Sequence, residues 1–392
     1  MSDAYETIRR RVVSLVEQRG IDVATDRQAA RTLVDGAVEE YQRGAHLGHG
    51  RALADPSGMA ERIMRSVSAF GPLTELLERP DLEEVFIEGS RVSYLDAAGN
   101  LRALDQPTSE RENRQVLDRL LADSDRRLDA SAPMVQARVL DDSARLTAVI
   151  PPVADRLSAT IRRYALRRES LDTMVEREAL SSGAARFLWA CMQTTTSIVV
   201  SGPPGAGKTS LLSALIGAVP AGHCVRCCEE VRELHVPLVH GSFYEARPPG
   251  LDGGGEISLR DLVKLVLAMR PDRIVVGEVR GAESFELTRA VNAGCGFACT
   301  VHANSASDAL DALVNAALMA GENVTERVVR KVFASALDFV VHLDRDATSG
   351  GPVRRRVMEI LAVVPSLRDD FTTQPIFRRD HIGAPLEWTG AL

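Results

Sequence analysis

The run Ser197-Ile198-Val199-Val200-Ser201-Gly202-Pro203-Pro204-Gly205-Ala206-Gly207-Lys208-Thr209-Ser210 constrains this chain more than any other stretch. An apolar strand feeds directly into a glycine-rich turn, and a helix is expected to open at Lys208. That order suits a triphosphate: glycines let backbone amides turn inward around phosphate oxygens, and the helix adds the positive end of its dipole at the same point. Gly202 to Ser210 is therefore expected to cradle ATP, with Lys208 reaching the β and γ phosphates and the Thr209 hydroxyl ligating Mg2+. Only three lysines occur among 47 basic residues, Lys208, Lys264 and Lys331. One of them stands where a compact ammonium is needed and a planar guanidinium would fit poorly.

Three further segments follow apolar strands and bring ionisable groups. In Arg270-Pro271-Asp272-Arg273-Ile274-Val275-Val276-Gly277-Glu278-Val279-Arg280-Gly281 a carboxylate ends a strand. The carboxyl ends of strands in an open parallel sheet form the ligand crevice, so Glu278 is a candidate to hold a magnesium-bound or attacking water. Cys228-Glu229-Glu230-Val231-Arg232-Glu233-Leu234 carries three acids; Glu233 either polarises water or holds the cation through water, and the cluster reads equally as solvated surface. Thr300-Val301-His302-Ala303-Asn304-Ser305 presents His302 as a γ-phosphate sensor or as an ordinary structural histidine.

At 392 residues the chain exceeds one ordinary core. Residues 1–56 read as a helical N-terminal extension, with helices over Tyr5–Gln18 and Arg27–Gln42. A small α/β domain is expected over 57–166, a linker over 167–178, and a strand–helix alternation implying a mostly parallel sheet over 179–392. The fold class is thus α/β, a small N-terminal domain plus a RecA-like P-loop domain. A net charge of −7 argues against holding nucleic acid through bulk positive potential, although basic clusters such as Arg354–Arg356 could meet a phosphate, an acidic partner or water. No apolar run is long enough to span a bilayer, the amino terminus lacks a signal-like apolar core, and six cysteines suggest no disulfide framework. The cytoplasm is the expected compartment.

Taken together and in order, these motifs resemble the secretion traffic ATPases of type II and type IV secretion and pilus assembly. SGPPGAGKTS is similar to their Walker A, Glu229–Leu234 to their acidic box, RPDRIVVGEVRG to their Walker B region and TVHANS to the end of their histidine box. FGPLTELLERPDLEEVFIEG, LDASAPMVQARV, AVIPP and TIRRY resemble the branch that builds Tad-type (Flp) pili. The resemblance implies a homo-hexameric ATPase, peripheral to the cytoplasmic face of the inner membrane, with nucleotide at a domain interface and integral membrane platform proteins as partners. It also implies that Arg162 and Arg163 approach the phosphates and that Arg247, Arg260 and Arg273 line the site or a subunit boundary. Ordinary surface pairing accounts equally for any one of those arginines. Two departures stand out: Gly294-Cys295-Gly296 replaces the family's Gly-His-x-Gly, leaving His302 alone, and Glu230 stands where relatives usually carry Asp. A DNA-translocating ATPase of a conjugation-like system and an ATP-holding scaffold with little turnover are the alternatives.

Overall fold

The structure, a computed structural model, describes all residues except 1, 22, 24–25, 49, 68–69, 80–81, 97–99, 123, 125, 142, 164–168, 235–237, 248, 250–253, 322–324, 347–353, 365–369 and 392. The turn expected at Ala98-Gly99-Asn100 lies largely outside the described residues. The chain divides into two units, residues 1–165 and 166–392.

The first unit opens with α1 (Ser2–Arg19), α2 (Arg27–His46) and α3 (Pro56–Val67). Their apolar stripes meet in a core built on Ile8, Val12, Val34, Val38 and Ile63. A 3-10 turn over Gly71–Leu73 leads into α4 (Thr74–Leu77), then β1 (Leu82–Glu88), β2 (Arg91–Asp96), β3 (Leu101–Ala103), α5 (Glu110–Leu121), β4 (Met134–Val139), β5 (Ala144–Val149) and β6 (Ser158–Arg163). The strands form one antiparallel sheet ordered β3-β2-β1-β6-β5-β4. Alternation sets its faces: Val135, Ala137 and Val139 of β4 are buried beside Leu146 and Ile161, and α5 covers that side with Val116, Leu117 and Leu120. Ser109 and Glu112 close a capping box on α5. Glu112 also accepts the Tyr5 hydroxyl, and Arg9 donates to Gln115, so residues 1–56 are bonded to α5 as well as joined to it by the chain.

The second unit contains α6 (Leu171–Glu176), α7 (Ser182–Met192), β7 (Ile198–Ser201), α8 (Lys208–Gly217), β8 (Val225–Glu229), β9 (Gly241–Glu245), α9 (Leu259–Leu267), β10 (Arg273–Val276), α10 (Glu283–Asn292), β11 (Gly296–Val301), α11 (Ala306–Leu318), α12 (Glu326–Ala336), β12 (Phe339–Asp346), β13 (Arg354–Val364), β14 (Thr372–Arg378) and β15 (Glu387–Trp388). One sheet runs β15-β14-β13-β12-β7-β11-β10-β8-β9; β12 through β9 are parallel, and β13 to β15 add an antiparallel margin. Because helices cover both faces, β7, β10 and β11 are buried along their whole length and read as largely apolar runs. Ile198 and Val200 of β7 face the side packed by α7 and α8, whereas Val199 faces the side of α9 to α12. The segment expected as a linker differs from that reading. Ser170 caps α6 at its start, and Leu171 and Met174 are buried in the core of this second unit.

Candidate active site

Strand order assembles the site. β11 lies between β7 and β10 in a parallel register. Residues just past the carboxyl ends of these three strands therefore sit side by side: the glycine loop after β7, His302 after β11 and Glu278 after β10. The loop turns into α8 through Gly207 at φ 92°, a left-handed conformation that suits glycine. Gly202 is required for a different reason, since a Cβ there would stand 2.4 Å from the Leu343 carbonyl oxygen of β12. Below the loop, the Ser201 hydroxyl and His342 Nδ1 are 3.0 Å apart and tie β7 to β12. Ala206 is buried, Pro203, Thr209 and Ser210 are half-buried, and Pro204 and Gly205 are exposed, which leaves the rim of the loop open to a ligand.

Lys208 is buried, and its ammonium donates to the carbonyls of Gly202 at 3.0 Å and Pro203 at 3.2 Å and meets His302 Nδ1 at 3.0 Å. On the other side of the ring, His302 Nε2 lies 2.7 Å from a Glu278 oxygen. An ammonium only donates and a carboxylate only accepts, so these partners call for a neutral imidazole with its proton on Nε2. Burial, then the Lys208 charge, lowers the His302 pKa and agrees with that assignment.

Burial alone would raise the Glu278 carboxyl, but hydrogen bonds and charge from Arg280, with His302 and Lys208 adding to them, hold it below its ordinary value. Arg280 grips Glu278 with two bonds of 2.9 Å and places a third nitrogen 3.5 Å from Glu230. Its own turn is fixed by Glu283, which accepts the Arg280 and Gly281 amides at 2.7 and 2.8 Å. Arg280 did not stand out in the sequence. The signal available was its spacing, two residues from Glu278 along an extended segment, where alternate side chains share a side.

The acidic box reaches the site through its buried member. Glu229, at the end of β8, is 3% exposed and accepts the amides of Glu233 at 3.0 Å and Leu234 at 3.1 Å. Burial pushes its pKa up to about 7 against those stabilising amides. Glu229 packs so tightly on Gly277 that a Cβ there would stand 2.8 Å from its Cγ, and Gly277 immediately precedes Glu278. Glu233 is half-buried and its charge helps raise the Arg280 pKa, which puts it within electrostatic reach of the same cluster.

The remaining candidates of the second unit take other partners. Arg273 is a correction: it starts β10, at the amino edge of the sheet, is fully buried, and donates to the carbonyls of Thr194 and Thr196. The opposite edge carries the site, so Arg273 is a structural cation, with its pKa lowered to about 10 by burial. Arg260 pairs with buried Glu286 at 2.8 Å and joins α9 to α10 rather than facing the loop. Arg247 donates to the Gly255 carbonyl at 2.7 Å within its own hairpin-like bridge to Ile257. Arg162 and Arg163 belong to β6 of the first unit; Arg162 lies 3.6 Å from Glu84, and burial lowers the Arg163 pKa.

A family profile described as Type II/IV secretion system protein matches residues 83–358. A putative conjugal transfer protein of Mycobacterium tuberculosis (strain H37Rv) is 32% identical over 308 residues, covering 76% of this chain and 85% of the relative. A type IV secretion system protein, PtlH homolog, of Bordetella bronchiseptica is 32% identical over 272 residues, covering 60% and 76%. Among solved structures, the pilus retraction motor PilT with bound ADP superposes with a TM-score of 0.54 at 18% identity, covering 72% of this chain and 79% of that one. The Legionella pneumophila ATPase DotB gives 0.53 at 16%, covering 75% and 80%. Both likenesses are of fold.

Proposed function

The chain belongs to the type II/IV secretion system protein family, and we propose that it is the ATP-hydrolysing, homo-hexameric motor of a Tad-type pilus-assembly or type II/IV secretion machine. In this reading it works at the cytoplasmic face of the inner membrane, as a peripheral protein, on an integral membrane platform. The observation that supports it most is the unbroken line of contacts from the loop through Lys208 and His302 to Glu278.

Each residue then has a task. The loop amides and α8 bind the β and γ phosphates, and Lys208 exchanges the Gly202 and Pro203 carbonyls for phosphate oxygens. His302, neutral, keeps Glu278 aligned with the loop through its Nε2 proton. Glu278, kept ionised beside Arg280, orients a water and draws its proton as the water oxygen bonds to the γ-phosphorus and the bond to the β–γ bridging oxygen breaks. Among the described residues no group of three His, Cys, Asp or Glu side chains could hold a metal alone. The Thr209 hydroxyl, and Glu278 through a water, would hold Mg2+, which would supply charge neutralisation beside the substrate phosphates.

ATP turnover of the purified protein tests the assignment. Wild type is expected to hydrolyse ATP slowly and sediment at six times its 42.5 kDa mass. Lys208→Ala should lose turnover, and normal rates in that variant would remove the reading. Near-zero rates in both wild type and Glu278→Gln would leave an ATP-holding scaffold. Relatives named for conjugal transfer support a second reading, a DNA-translocating ATPase; salt-sensitive stimulation by DNA would select it, while the net charge of −7 weighs against it.

A further inference from the structure

The loop has two flanks, and only one carries Glu278 and His302. β12 pairs with β7 on the side opposite β11, so its carboxyl half and the start of β13 line the other flank. Leu343 presents its carbonyl to Gly202, as described above. Two residues on, the Arg345 guanidinium lies over Gly205, where an added Cβ would come within 2.9 Å of its Nη1. Arg355 of β13 lies along Gly207, with its Cδ 3.9 Å from the corresponding position.

Arg345 and Arg355 are directly opposite one another in the β12–β13 ladder, so both side chains leave the same face. Like charges in that relation weaken a ladder. Both residues are exposed, and no carboxylate among the described residues pairs with the Arg345 guanidinium. Two guanidinium-bearing side chains thus converge on the outer side of a loop whose geometry suits phosphate. Guanidinium matches phosphate oxygens in geometry and charge.

We infer that Arg345 and Arg355 form a second anion-binding wall that grips the polyphosphate of the bound nucleotide from the β12 side, across the loop from Glu278. This rests on the nucleotide reading above and adds to it a binding function for the paired strands β12 and β13. The pair supplies affinity, not proton transfer, because β12 lies on the flank of β7 opposite the strand that carries His302.

The test uses the full chain carrying Arg345→Gln and Arg355→Gln together, with Arg345→Lys/Arg355→Lys as a charge-keeping control. ATP turnover is followed for KM and kcat, and a fluorescent ADP analogue is displaced by pyrophosphate or by adenosine. The expected result is a rise of about tenfold in both the ATP KM and the pyrophosphate competition constant, the size of one lost charge-assisted contact. The fall in kcat should be far smaller, adenosine competition should not change, and the lysine variant should recover most of the affinity. Unchanged KM and pyrophosphate competition in a variant whose wild type binds nucleotide would overturn the wall alone. A shift confined to adenosine would also overturn it, in favour of stacking on the base. If the wild type binds no nucleotide, the parent reading falls with it.

Discussion

β10 begins and ends beside a charge, and the two ends of this one short strand treat their charges differently. At the amino end Arg273 is fully buried and held by the carbonyls of Thr194 and Thr196, dipoles that neither titrate nor exchange. Past the carboxyl end, the Glu278 side chain is 27% exposed and held by Arg280 and His302, which are themselves charged or titratable. A charge fixed by main chain is part of the scaffold; one held by exchangeable side chains can trade them for a substrate. Parallel strands impose this division, because every loop able to meet a ligand leaves from the carboxyl edge.

The comparison breaks most clearly at Glu278. Glu278→Gln is expected to lower kcat by roughly 10²–10⁴, the usual span for a lost proton-transfer group, with the melting temperature little changed. Stopped-flow phosphate release and a thermal melt check both halves. Arg273→Leu should do the reverse. Losing the two charge-assisted bonds of the buried guanidinium costs about 2–4 kcal/mol of stability by urea titration, and kcat per folded molecule should hold. A large kcat loss with stability intact would return Arg273 to the chemistry and erase the contrast.

Glu229 sharpens the comparison, since it lies at the carboxyl edge yet is held by backbone amides, as Arg273 is held by backbone carbonyls. Its carboxyl titrates at about 7 in the folded protein against an ordinary 4.5. Between those values the native state keeps a proton that the unfolded chain has released, so stability falls as pH rises from about 4.5 through 7 and stays lower above. Glu229→Gln should remove that slope and gain up to about 3 kcal/mol relative to wild type at pH 8, read from urea melts across pH. The smallest effect is expected for Arg280→Ala. Without the guanidinium the Glu278 carboxyl moves up, so the acid limb of the kcat profile shifts to higher pH, with only a few-fold loss at pH 8.

The glycine loop between β7 and α8 was legible in the sequence because strand, glycine turn and helix are contiguous, and each element enforces the next. Glu278 and His302 were readable by the same rule, as polar residues ending apolar strands. Their contact was not, because it depends on β11 lying between β7 and β10, and strand order is not written in any local pattern. Arg273 misled because a motif records neighbours along the chain and not which edge of a sheet they reach. β9 gave no alternation, being half-buried throughout, and was missed. α7 and α12 were missed although Val329, Phe333 and Ala336 of α12 keep helical spacing. The bond from Tyr5 to Glu112 joins residues far apart in the chain, and no window on the sequence can see it.

The seat of Gly202 beneath Leu343 has an evolutionary corollary. The atom that forbids a larger residue at position 202 belongs to the main chain of β12. Drift at position 343 can therefore change packing but cannot relieve the restriction, whereas drift at 202 is barred outright. One rim of the cradle is guarded by an atom that every amino acid carries.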